Sequence, residues 1–337
     1  METASFDYDL PEEAIAQVPI EPRDQARLLV DRGPDQPPDH RHVVDLPSLI
    51  EPGDVVVVNT TRVLPARLHL RKPTGGAVEV LLLERHPTGG WDALVRPSKR
   101  VHPGTVLAAG DDLAVEFGES GREDGTREVQ LRIQQDADER TVLARHGVVP
   151  LPPYITTPLA DPERYQTVFA DNPESVAAPT AGLHLTPAVL EACRAAGARI
   201  EPVELAVGLG TFRPIQADKV EEHHMHAERY RVPEQTLDAC RAAKRVVAVG
   251  TTATRALESA AETGQMEGRT ELFILRPYAW QVVDVLLTNF HLPRSSLLVL
   301  VDAFVGGRWV DLYKTAIADG YRFLSFGDAM LLQRTAP

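Results

Sequence analysis

The run VVVVN at residues 55 to 59 is the feature that most restricts how this chain can fold. Four consecutive β-branched residues favour a strand, and since they do not alternate with polar residues, both faces of that strand have to be buried. Such strands are typical of parallel sheets that are covered by helices on both sides. The Asn-Thr-Thr sequence at its end predicts that the strand opens into a polar loop.

The rest of the amino-terminal segment and the second half of the chain support an α/β domain. PEEAIAQ near the start has a helical pattern and RLLV a strand pattern. Later, the strand-like runs ARIEPVELAV, RVVAVG and VVDVLLTNF alternate with two helical runs, which we expect to start at Thr186 and Pro233. Strands that alternate with helices indicate an α/β fold.

Residues 66 to 150 have a different pattern. Short alternating runs are separated by Gly, Pro and Asp: ARLHL, AVEVLLLE, WDALVR, TVLAA, LAVEF and EVQLRI. This spacing predicts an antiparallel barrel or sandwich. We therefore expect an α/β catalytic domain formed by residues 1–65 and 151–337, with an antiparallel β-barrel domain inserted at 66–150.

Composition excludes several classes of protein. The 337 residues carry a formal net charge of −13, so binding to nucleic acid requires a local basic patch. The amino-terminus lacks a basic leader followed by an apolar run, and no apolar stretch reaches the ~18 residues of a membrane helix. We expect a cytoplasmic protein with no membrane contact. Cys193 and Cys240 lie in Ala-rich helical runs and are predicted to be reduced structural thiols.

Two basic clusters are candidates for such a patch. TRVLPARLHLRK at 61–72 contains no acidic residue, and RPSKRVH at 96–102 adds three more cations. Grouped Lys and Arg in an acidic chain suggest a surface that faces phosphate groups. Solvated strand faces also carry Lys and Arg, so both interpretations stay open at this point.

Four loop segments could bind a ligand. In RVVAVGTTATR, Thr251, Thr252 and Arg255 follow Gly250 at a helix start, which suits either a ligand or a helix capped by Thr. SVAAPTAGLHLTP at 175–187 could approach a flat base and move a proton through its histidine, or form a tight turn. VGLGTFRP and LLTNFHLP have similar form, and the first lacks the third glycine of a dinucleotide motif.

Three histidines lie close together in EEHHMHAERY, residues 221 to 230. His223 and His226 are three positions apart, and Glu222 or Glu228 could add a carboxylate ligand for a metal. The spacing matches none of the usual zinc motifs, such as H-E-x-x-H. We therefore expect no metal, and we interpret the segment as a polar pocket wall or a carrier of protons.

Twelve blocks of the chain closely resemble, in order from Phe6 to about Leu332, the S-adenosylmethionine:tRNA ribosyltransferase-isomerases of queuosine biosynthesis. They are FDYDLPEEAIAQ, RDQARLLV, NTTRVLPARL, RPSKR, LPPYI, DPERYQTVFA, SVAAPTAGLHLTP, VGLGTFRP, HHMHAERY, GTTATRALES, VVDVLLTNFHLP and FGDAMLL. The resemblance implies an α/β domain interrupted by a β-barrel. It also implies transfer and isomerisation of the ribosyl part of S-adenosylmethionine onto 7-aminomethyl-7-deazaguanine in tRNA, which gives epoxyqueuosine, adenine and methionine. S-adenosylmethionine is consumed, and no metal is expected.

The resemblance also implies roles for the polar residues of these blocks. Proton transfer is expected from His184, His224, His226 and His291. Binding of S-adenosylmethionine is expected from Thr180, Gly182, Gly210, Thr211, Gly250, Thr252, Arg255, Asn289 and Asp328. Contact with tRNA is expected from Arg62, Arg67, Lys99, Arg100 and Arg213. Two more carboxylates, Glu228 and Asp284, are expected with Asp328 near the sulfonium.

The chain departs from the family pattern at a few positions. Ala206 stands where the family commonly has His, Ala227 and Arg229 where it has Ser and Trp, and Arg276 where a Pro-Gly pair begins. Two alternatives therefore stay open: the same chemistry on a free small-molecule amine or deazapurine, or a non-catalytic RNA-binding relative. The retained HHMH and TAGLH blocks favour the enzyme, which we expect to be a monomer.

Overall fold

The computed structural model describes residues 1–86, 89–121, 125–134, 137–208 and 214–335, without the side chains of Pro173 and Glu174. The chain divides into two compact units. The large unit consists of residues 1–62, 152–172 and 178–337, and the small unit consists of residues 63–151 and 173–177.

The elements are numbered along the chain. The strands are β1 (Arg27–Val30), β2 (Asp39–His42), β3 (Val55–Asn59), β4 (Thr61–Val63), β5 (Arg67–Arg71), β6 (Ala77–Arg85), β7 (Trp91–Arg96), β8 (Val106–Ala108), β9 (Leu113–Ser120), β10 (Arg127–Ile133), β11 (Gly147–Val148), β12 (Asn172–Ser175), β13 (Arg199–Leu205), β14 (Glu228–Arg231), β15 (Val246–Val249), β16 (Glu267–Thr270), β17 (Val285–Asn289) and β18 (Ala329–Gln333). The α-helices are α1 (Glu139–His146), α2 (Pro187–Ala195), α3 (Glu234–Ala242), α4 (Gly250–Thr263), α5 (Ser296–Val305) and α6 (Trp309–Ala318). Short 3-10 helices include Glu12–Ala14, Ser98–Arg100, Pro162–Tyr165, Thr180–His184 and Val220–Glu222.

The large unit is built on a nine-stranded sheet in the order β16–β14–β13–β3–β15–β17–β18–β1–β2. Its four central strands, β13, β3, β15 and β17, run parallel to one another. Every residue of β3, β15 and β17 is buried, as expected for strands with helices on both faces. The mixed α/β class and the parallel strand predicted from VVVVN are confirmed.

Helices pack on both faces of this sheet. Val56 and Val58 of β3 belong to a core cluster that includes Val189 and Cys193 of α2. Since alternate residues of a strand point to opposite faces, Val57 faces the other side, where α4 contacts β3 and its neighbours. Cys193 and Cys240 are both buried and free, and burial raises the pKa of their thiols to about 11 and about 12.

Two helix starts agree with the sequence analysis and one segment does not. α2 begins at Pro187 after Thr186, whose side chain accepts from the Val189 amide at 3.2 Å, and α3 begins directly after Pro233. PEEAIAQ forms only the 3-10 turn Glu12–Ala14, so the predicted helix is wrong. The chain becomes extended there because the next residue, Ile15, forms a β-bridge with Phe323.

The start of α4 corrects a second expectation. The helix begins at Gly250, which has a φ of +89°, and the residue before it is Val249. No side chain caps this helix, so the alternative of a Thr-capped start is wrong. Thr251 and Thr252 lie inside the first turn and are buried.

The small unit contains an antiparallel sheet in the order β11–β5–β6–β7–β10–β9–β8. The six strands predicted in this region are present as β5 to β10, whereas helix α1 was missed. The sheet is curled, because β8 contacts β5, yet among the described residues β8 and β11 stay at its two edges.

No helix in the described ranges has both the length and the apolar character needed to cross a membrane.

Candidate active site

Several loops meet at the carboxyl edge of the four parallel strands. β3 ends at Asn59, β15 is followed by Gly250 and α4, and β17 ends at Asn289. β18 runs antiparallel to β17 with Ala329 opposite Asn289, so Asp328 lies at the same edge. Open α/β sheets bind ligands at this edge, since loop side chains and helix amino-termini converge there. The structure thus places Gly250 and Asn289 at a candidate active site.

One group of residues at this edge, the His184 cluster, consists of His184, Asn289 and Thr180. Asn289 Nδ2 donates to the Leu324 carbonyl oxygen at 3.2 Å and to Thr180 Oγ1 at 3.3 Å. Asn289 Oδ1 lies 2.9 Å from His184 Nε2. A carbonyl oxygen can only accept, so the amide nitrogen has to face Leu324, and Oδ1 therefore accepts from His184.

These bonds fix the tautomer of His184. Nε2 carries the proton that Asn289 accepts, so the lone pair of the neutral ring is on Nδ1. Burial lowers the pKa of His184, and the Asn289 hydrogen bond and the Asp328 charge oppose this effect less strongly. The ring is therefore neutral at pH 7, and it can accept a proton only at Nδ1.

His291 lies in a more closed environment than His184. Its Nε2 is 2.9 Å from Thr288 Oγ1, and its backbone N–H donates to the Tyr313 hydroxyl at 2.9 Å. The Tyr8 hydroxyl donates to the His291 carbonyl oxygen. Burial lowers the pKa of His291 to about 3, so the ring stays neutral throughout the physiological range. These bonds suit a residue that positions the loop after β17.

A partly open pocket, which we call the Asn289 pocket, lies beside the His184 cluster, and its space amounts to about 340 Å³ when the part open to solvent is included. Thr180, Asn289, Tyr154 and Ser325 provide its polar lining, and the Tyr154 hydroxyl lies 2.7 Å from Ser325 Oγ. The remaining lining comes from Phe290, His291, Leu292, Ser295, Leu297 and Leu324. Apolar walls with a few placed polar groups are typical of sites for small molecules with flat rings.

A second group, the Glu228 cluster, consists of Glu228 and Arg255, and we include Thr252, which lies three residues before Arg255 in α4. Arg255 and Glu228 form a buried ion pair through Nη1 and Oε2. Glu228 Oε1 also accepts from the Gly208 amide at 2.9 Å, and Arg255 Nε donates to the Leu272 carbonyl at 3.0 Å. Arg255 Nη2 and Thr252 Oγ1 are buried and find no hydrogen-bond partner among the described residues. Such donors mark a place where oxygen atoms of a ligand would be stabilised.

The two clusters lie at different positions along the edge. Glu228 begins β14 and Asn289 ends β17, four strand spacings away in the sheet order. At ~4.8 Å per spacing, the two positions are about 19 Å apart. A single side chain cannot reach from one cluster to the other, so a ligand that contacts both has to be extended.

The histidine segment belongs to the Glu228 end, because it leads directly into β14. His224 and His226 are exposed, and His223 packs edge-on against Phe273 with ring centroids 5.5 Å apart. Burial, followed by the charges of the two neighbouring histidines, lowers the pKa of His223. No set of three or more His, Cys, Asp or Glu in the described parts of the chain is arranged to hold a metal ion.

The carboxylates expected near a sulfonium are in three different environments. Glu228 is paired with Arg255, and Asp328 accepts from the backbone amides of Arg27 at 2.9 Å and Arg322 at 2.8 Å. Asp284 precedes β17, accepts from the Val246 amide at 3.0 Å and therefore lies at the opposite edge of the sheet. The expectation for Asp284 is wrong, because the start and the end of one strand cannot share a site.

The structure describes most of the glycines predicted to bind the cofactor and most of the basic residues predicted to contact tRNA. A Cβ on Gly182 would lie 2.7 Å from Phe169 Cζ, so close packing requires glycine there. Among the basic residues, Arg62 forms an ion pair with Glu163 at 2.5 Å. The Nε of Arg67 is buried and has no hydrogen-bond partner in the described ranges. Lys99 and Arg100 are exposed. Three predicted residues lie outside the described residues: Gly210, Thr211 and Arg213.

Two of the departures from the family pattern are neighbours in the sheet. The backbone N–H of Ala206, directly after β13, donates to the carbonyl oxygen of Arg229 in β14 at 2.9 Å, so the two residues lie next to each other. Arg276 forms a two-bond ion pair with the buried Asp302, at 2.6 and 2.9 Å. These replacements therefore surround the Glu228 cluster or support α5, and the His184 cluster contains none of them.

Two arginines beside His184 were not predicted from the sequence to belong to the site. Arg23 and Arg164 line a second pocket together with His184 and Ser325. Both lie in blocks that were recognised as motifs, RDQARLLV and DPERYQTVFA, and no role was assigned to them. Neither block has a strand or helix pattern around its arginine, so periodicity gave no signal.

A family model described as queuosine biosynthesis protein matches residues 3–332. The chain belongs to this family. It is 51% identical over 334 residues to the S-adenosylmethionine:tRNA ribosyltransferase-isomerase of Rubrobacter xylanophilus, with 98% of each chain covered. Its identity to the protein of the same name from Thermus thermophilus is 51% over 346 residues, with 97% of this chain and 98% of the relative covered.

A solved structure gives the same result. The crystal structure of S-adenosylmethionine tRNA ribosyltransferase from Thermotoga maritima superposes with a TM-score of 0.55 and 38% sequence identity. The superposition covers 97% of this chain and 99% of that chain. The resemblance inferred from the twelve sequence blocks is therefore confirmed over nearly the whole chain.

Proposed function

We propose that this protein transfers and isomerises the ribosyl moiety of S-adenosylmethionine onto 7-aminomethyl-7-deazaguanine in tRNA, which yields epoxyqueuosine-tRNA, adenine and methionine. Full-length similarity to enzymes with the corresponding name supports the reaction class. The observation that carries the proposal is the His184 cluster, where a neutral histidine of fixed tautomer lies beside a pocket suited to a flat base.

His184 is the proton acceptor in this proposal. The reaction begins with removal of a proton from the carbon next to the sulfonium, and a neutral imidazole is an effective base near pH 7. Asn289 holds Nε2, so the proton goes to Nδ1. The positive charge that develops on the ring is stabilised by Asn289 Oδ1, which accepts a stronger hydrogen bond from the imidazolium.

The Asn289 pocket holds the adenosine part of S-adenosylmethionine. Its apolar walls contact the faces of the purine, while Thr180 and the Tyr154–Ser325 pair hydrogen-bond to polar atoms of the nucleoside. These donors also stabilise negative charge on adenine as it leaves. Gly182 supports this arrangement through close packing, and Gly250 through its φ of +89°, which favours glycine.

The methionine part extends along the sheet edge toward the Glu228 cluster. Its carboxylate accepts from Thr252 Oγ1 and from Arg255 Nη2, the two donors left without partners in the described ranges. Its ammonium group is attracted by Glu228. The positive and negative groups of the methionine part therefore each lie near the opposite charge of the Arg255–Glu228 pair. His224 and His226 remain predicted proton carriers at this end.

The small unit contributes contacts with tRNA in this proposal, as an inserted β-barrel domain at 66–150. Lys99 and Arg100 are exposed in a 3-10 turn and suit phosphate groups. Arg62 and Arg67 add cations nearby in sequence. We further propose a cytoplasmic monomer that needs no metal, so protein treated with a chelator retains full activity and light scattering gives the mass of one chain.

Incubation of the protein with S-adenosylmethionine and tRNA that carries 7-aminomethyl-7-deazaguanine tests the reaction. Nucleoside mass analysis should find epoxyqueuosine, with one adenine released per modified base. tRNA with unmodified guanine is the matched control and should yield neither product. If folded protein releases no adenine and forms no epoxyqueuosine, the proposal fails, and turnover of the free base without RNA would support the small-molecule alternative.

A further inference from the structure

A second pocket, which we call the Arg23 pocket, adjoins the His184 cluster; it is partly open, and its space amounts to about 220 Å³ when the part open to solvent is included. Its lining consists of Pro19, Ile20, Arg23, Arg164, Leu183, His184, Ser325 and Phe326. Ser325 also lines the Asn289 pocket, so the two pockets meet at this residue. A molecule in the Arg23 pocket would therefore lie next to a molecule in the Asn289 pocket.

Most hydrogen-bonding capacity of Arg23 is available to a ligand. Nη1 donates to the Gln166 carbonyl oxygen at 3.0 Å, and this is the guanidinium's only hydrogen bond to a described residue. A guanidinium has five N–H donors in a planar fork. Burial lowers the pKa of Arg23, and the Arg164 charge lowers it further, so an anion would relieve the unfavourable environment of this cation.

Arg164 gives the pocket a second positive charge. Its Nη2 donates to the Ile20 carbonyl oxygen at 2.8 Å, which orients the side chain, and its Nε pairs with Glu21. The Arg164 side chain is 14% exposed, whereas the Glu21 side chain is 64% exposed and lies in solvent. An exposed carboxylate of this kind compensates a partly buried cation only weakly. The other acid that acts on Arg23 is Asp161, also exposed.

The chemistry of this pocket fits a phosphate group. Two guanidinium groups present forked donors to the oxygen atoms of an oxyanion, and His184 adds no charge because it is neutral. S-adenosylmethionine contains no phosphate, whereas RNA contains one at each nucleotide. The amine of the RNA base also has to come next to the ribose in the Asn289 pocket, and phosphate contacts are what position a nucleotide.

We propose that Arg23 and Arg164 bind the phosphate group next to the modified nucleotide of tRNA and thereby place its base beside His184. This inference rests on the proposed function. It assigns the arginines a positioning role and leaves the proton transfer to His184.

The test measures binding of an anticodon stem–loop RNA, without S-adenosylmethionine, by fluorescence anisotropy. Arg23→Gln should weaken binding about tenfold, as expected for loss of a charge-assisted contact. The dependence of log K on log salt should become less steep by about 0.7, the share of one phosphate in single-stranded RNA. Arg23→Lys, which keeps the charge, should recover part of the affinity and all of the salt dependence.

A neutral methylphosphonate in place of the target phosphate locates the contact. Wild-type protein should lose about tenfold in affinity for this RNA, and R23Q should lose clearly less than wild type does, because only the contact with Arg164 remains. Arg241→Gln is the matched control: Arg241 is an exposed arginine of α3 paired with Asp238, and its removal should change neither affinity nor the effect of the methylphosphonate.

Three results would overturn the inference. The first is that R23Q binds RNA as tightly as the wild type does. The second is that the losses of RNA affinity caused by R23Q and by the methylphosphonate add. The third is that R23Q raises KM for S-adenosylmethionine while its RNA affinity stays unchanged. The last result would place the methionine carboxylate in this pocket. Product formation by the wild type is scored separately, so failure of the proposed reaction leaves the RNA-binding result interpretable.

Discussion

The two ends of the carboxyl edge, the His184 cluster and the Glu228 cluster, differ in the kind of polar groups they contain. The His184 cluster consists of uncharged groups, each held by a directional hydrogen bond, and its histidine stays neutral because of burial. The Glu228 cluster consists of a buried ion pair with two donors that lack partners among the described residues. About 19 Å, or four strand spacings, separates them.

This difference indicates a division of labour along one sheet edge. A proton acceptor requires a group whose charge can change, and a neutral, well-oriented imidazole meets this requirement. A zwitterionic substrate end requires charges that do not change, and a buried Arg–Glu pair meets that requirement. Three of the positions at which the chain departs from the family pattern, Ala206, Ala227 and Arg229, lie near the second end.

Replacement of His184 should give the largest effect on turnover. His184→Ala removes the proposed base and should lower kcat by about 10²- to 10⁴-fold, the usual contribution of general base catalysis. His226→Ala should lower kcat less than about tenfold, because His226 is exposed and lies at the other end of the edge. Single-turnover kinetics with saturating RNA measure both. If the two variants lose kcat equally, the histidine segment takes part in proton transfer as well, and the two ends of the edge no longer differ in this function.

Breaking the ion pair should give the largest effect on stability. Glu228→Gln leaves Arg255 buried without its counter-charge, so the free energy of unfolding should fall by about 3 to 5 kcal/mol. Asp238→Asn is the control, since it breaks an exposed i,i+3 pair and should cost less than about 0.5 kcal/mol. Urea unfolding provides both values. A loss below 1 kcal/mol in E228Q would mean that solvent or other groups satisfy Arg255.

The sequence predicted the strands that build this edge better than it predicted what meets there. Runs such as VVVVN and VVAV reveal buried parallel strands because burial and β-branching are local properties. Their ends therefore located Gly250 and Asn289 correctly. The sequence also failed locally where a tertiary contact decided the structure, as at Ile15, which pairs with Phe323 instead of continuing a helix.

Which polar residues meet depends on strand order, and local pattern does not contain that order. His184 and Asn289 are 105 residues apart, and Asp284 was grouped with Asp328 although the two lie at opposite edges of the sheet. The roles of Arg23 and Arg164 were missed for the same reason. The function of a cation in an irregular segment can be inferred only when the fold shows which residues lie beside it.

The pH dependence of stability should distinguish the histidine end from the rest of the molecule. His291 has a pKa of about 3 when folded and about 6.5 when unfolded. Between these values the unfolded state binds one proton more than the folded state. The contribution of His291 to the free energy of unfolding is therefore constant above pH 6.5 and falls as the pH decreases below it. The expected slope is ~1.4 kcal/mol per pH unit for each such histidine, and His184 adds to it with the same sign.

His291→Asn removes one of these contributions. Between pH 7 and pH 5.5 the free energy of unfolding should fall by about 1 kcal/mol less in H291N than in the wild type. E228Q, which changes the other end, should keep the wild-type slope over this range. Parallel pH curves for H291N and wild type would show that His291 already titrates near its ordinary value in the folded protein.

The smallest expected effect tests the donors of the Glu228 cluster. Thr252→Val keeps the shape of the side chain and removes a buried hydroxyl that has no partner among the described residues. Without ligand, the free energy of unfolding should stay constant or rise by up to about 1 kcal/mol, because no bond is lost and an unsatisfied group is removed. With ligand, KM for S-adenosylmethionine should rise about threefold to tenfold, the value of one hydrogen bond. Thr252→Ser keeps the hydroxyl and should keep the wild-type KM. If T252V instead loses more than 2 kcal/mol of stability at unchanged KM, the hydroxyl serves the fold, and the ion-pair end has no free donor at this position for the methionine carboxylate.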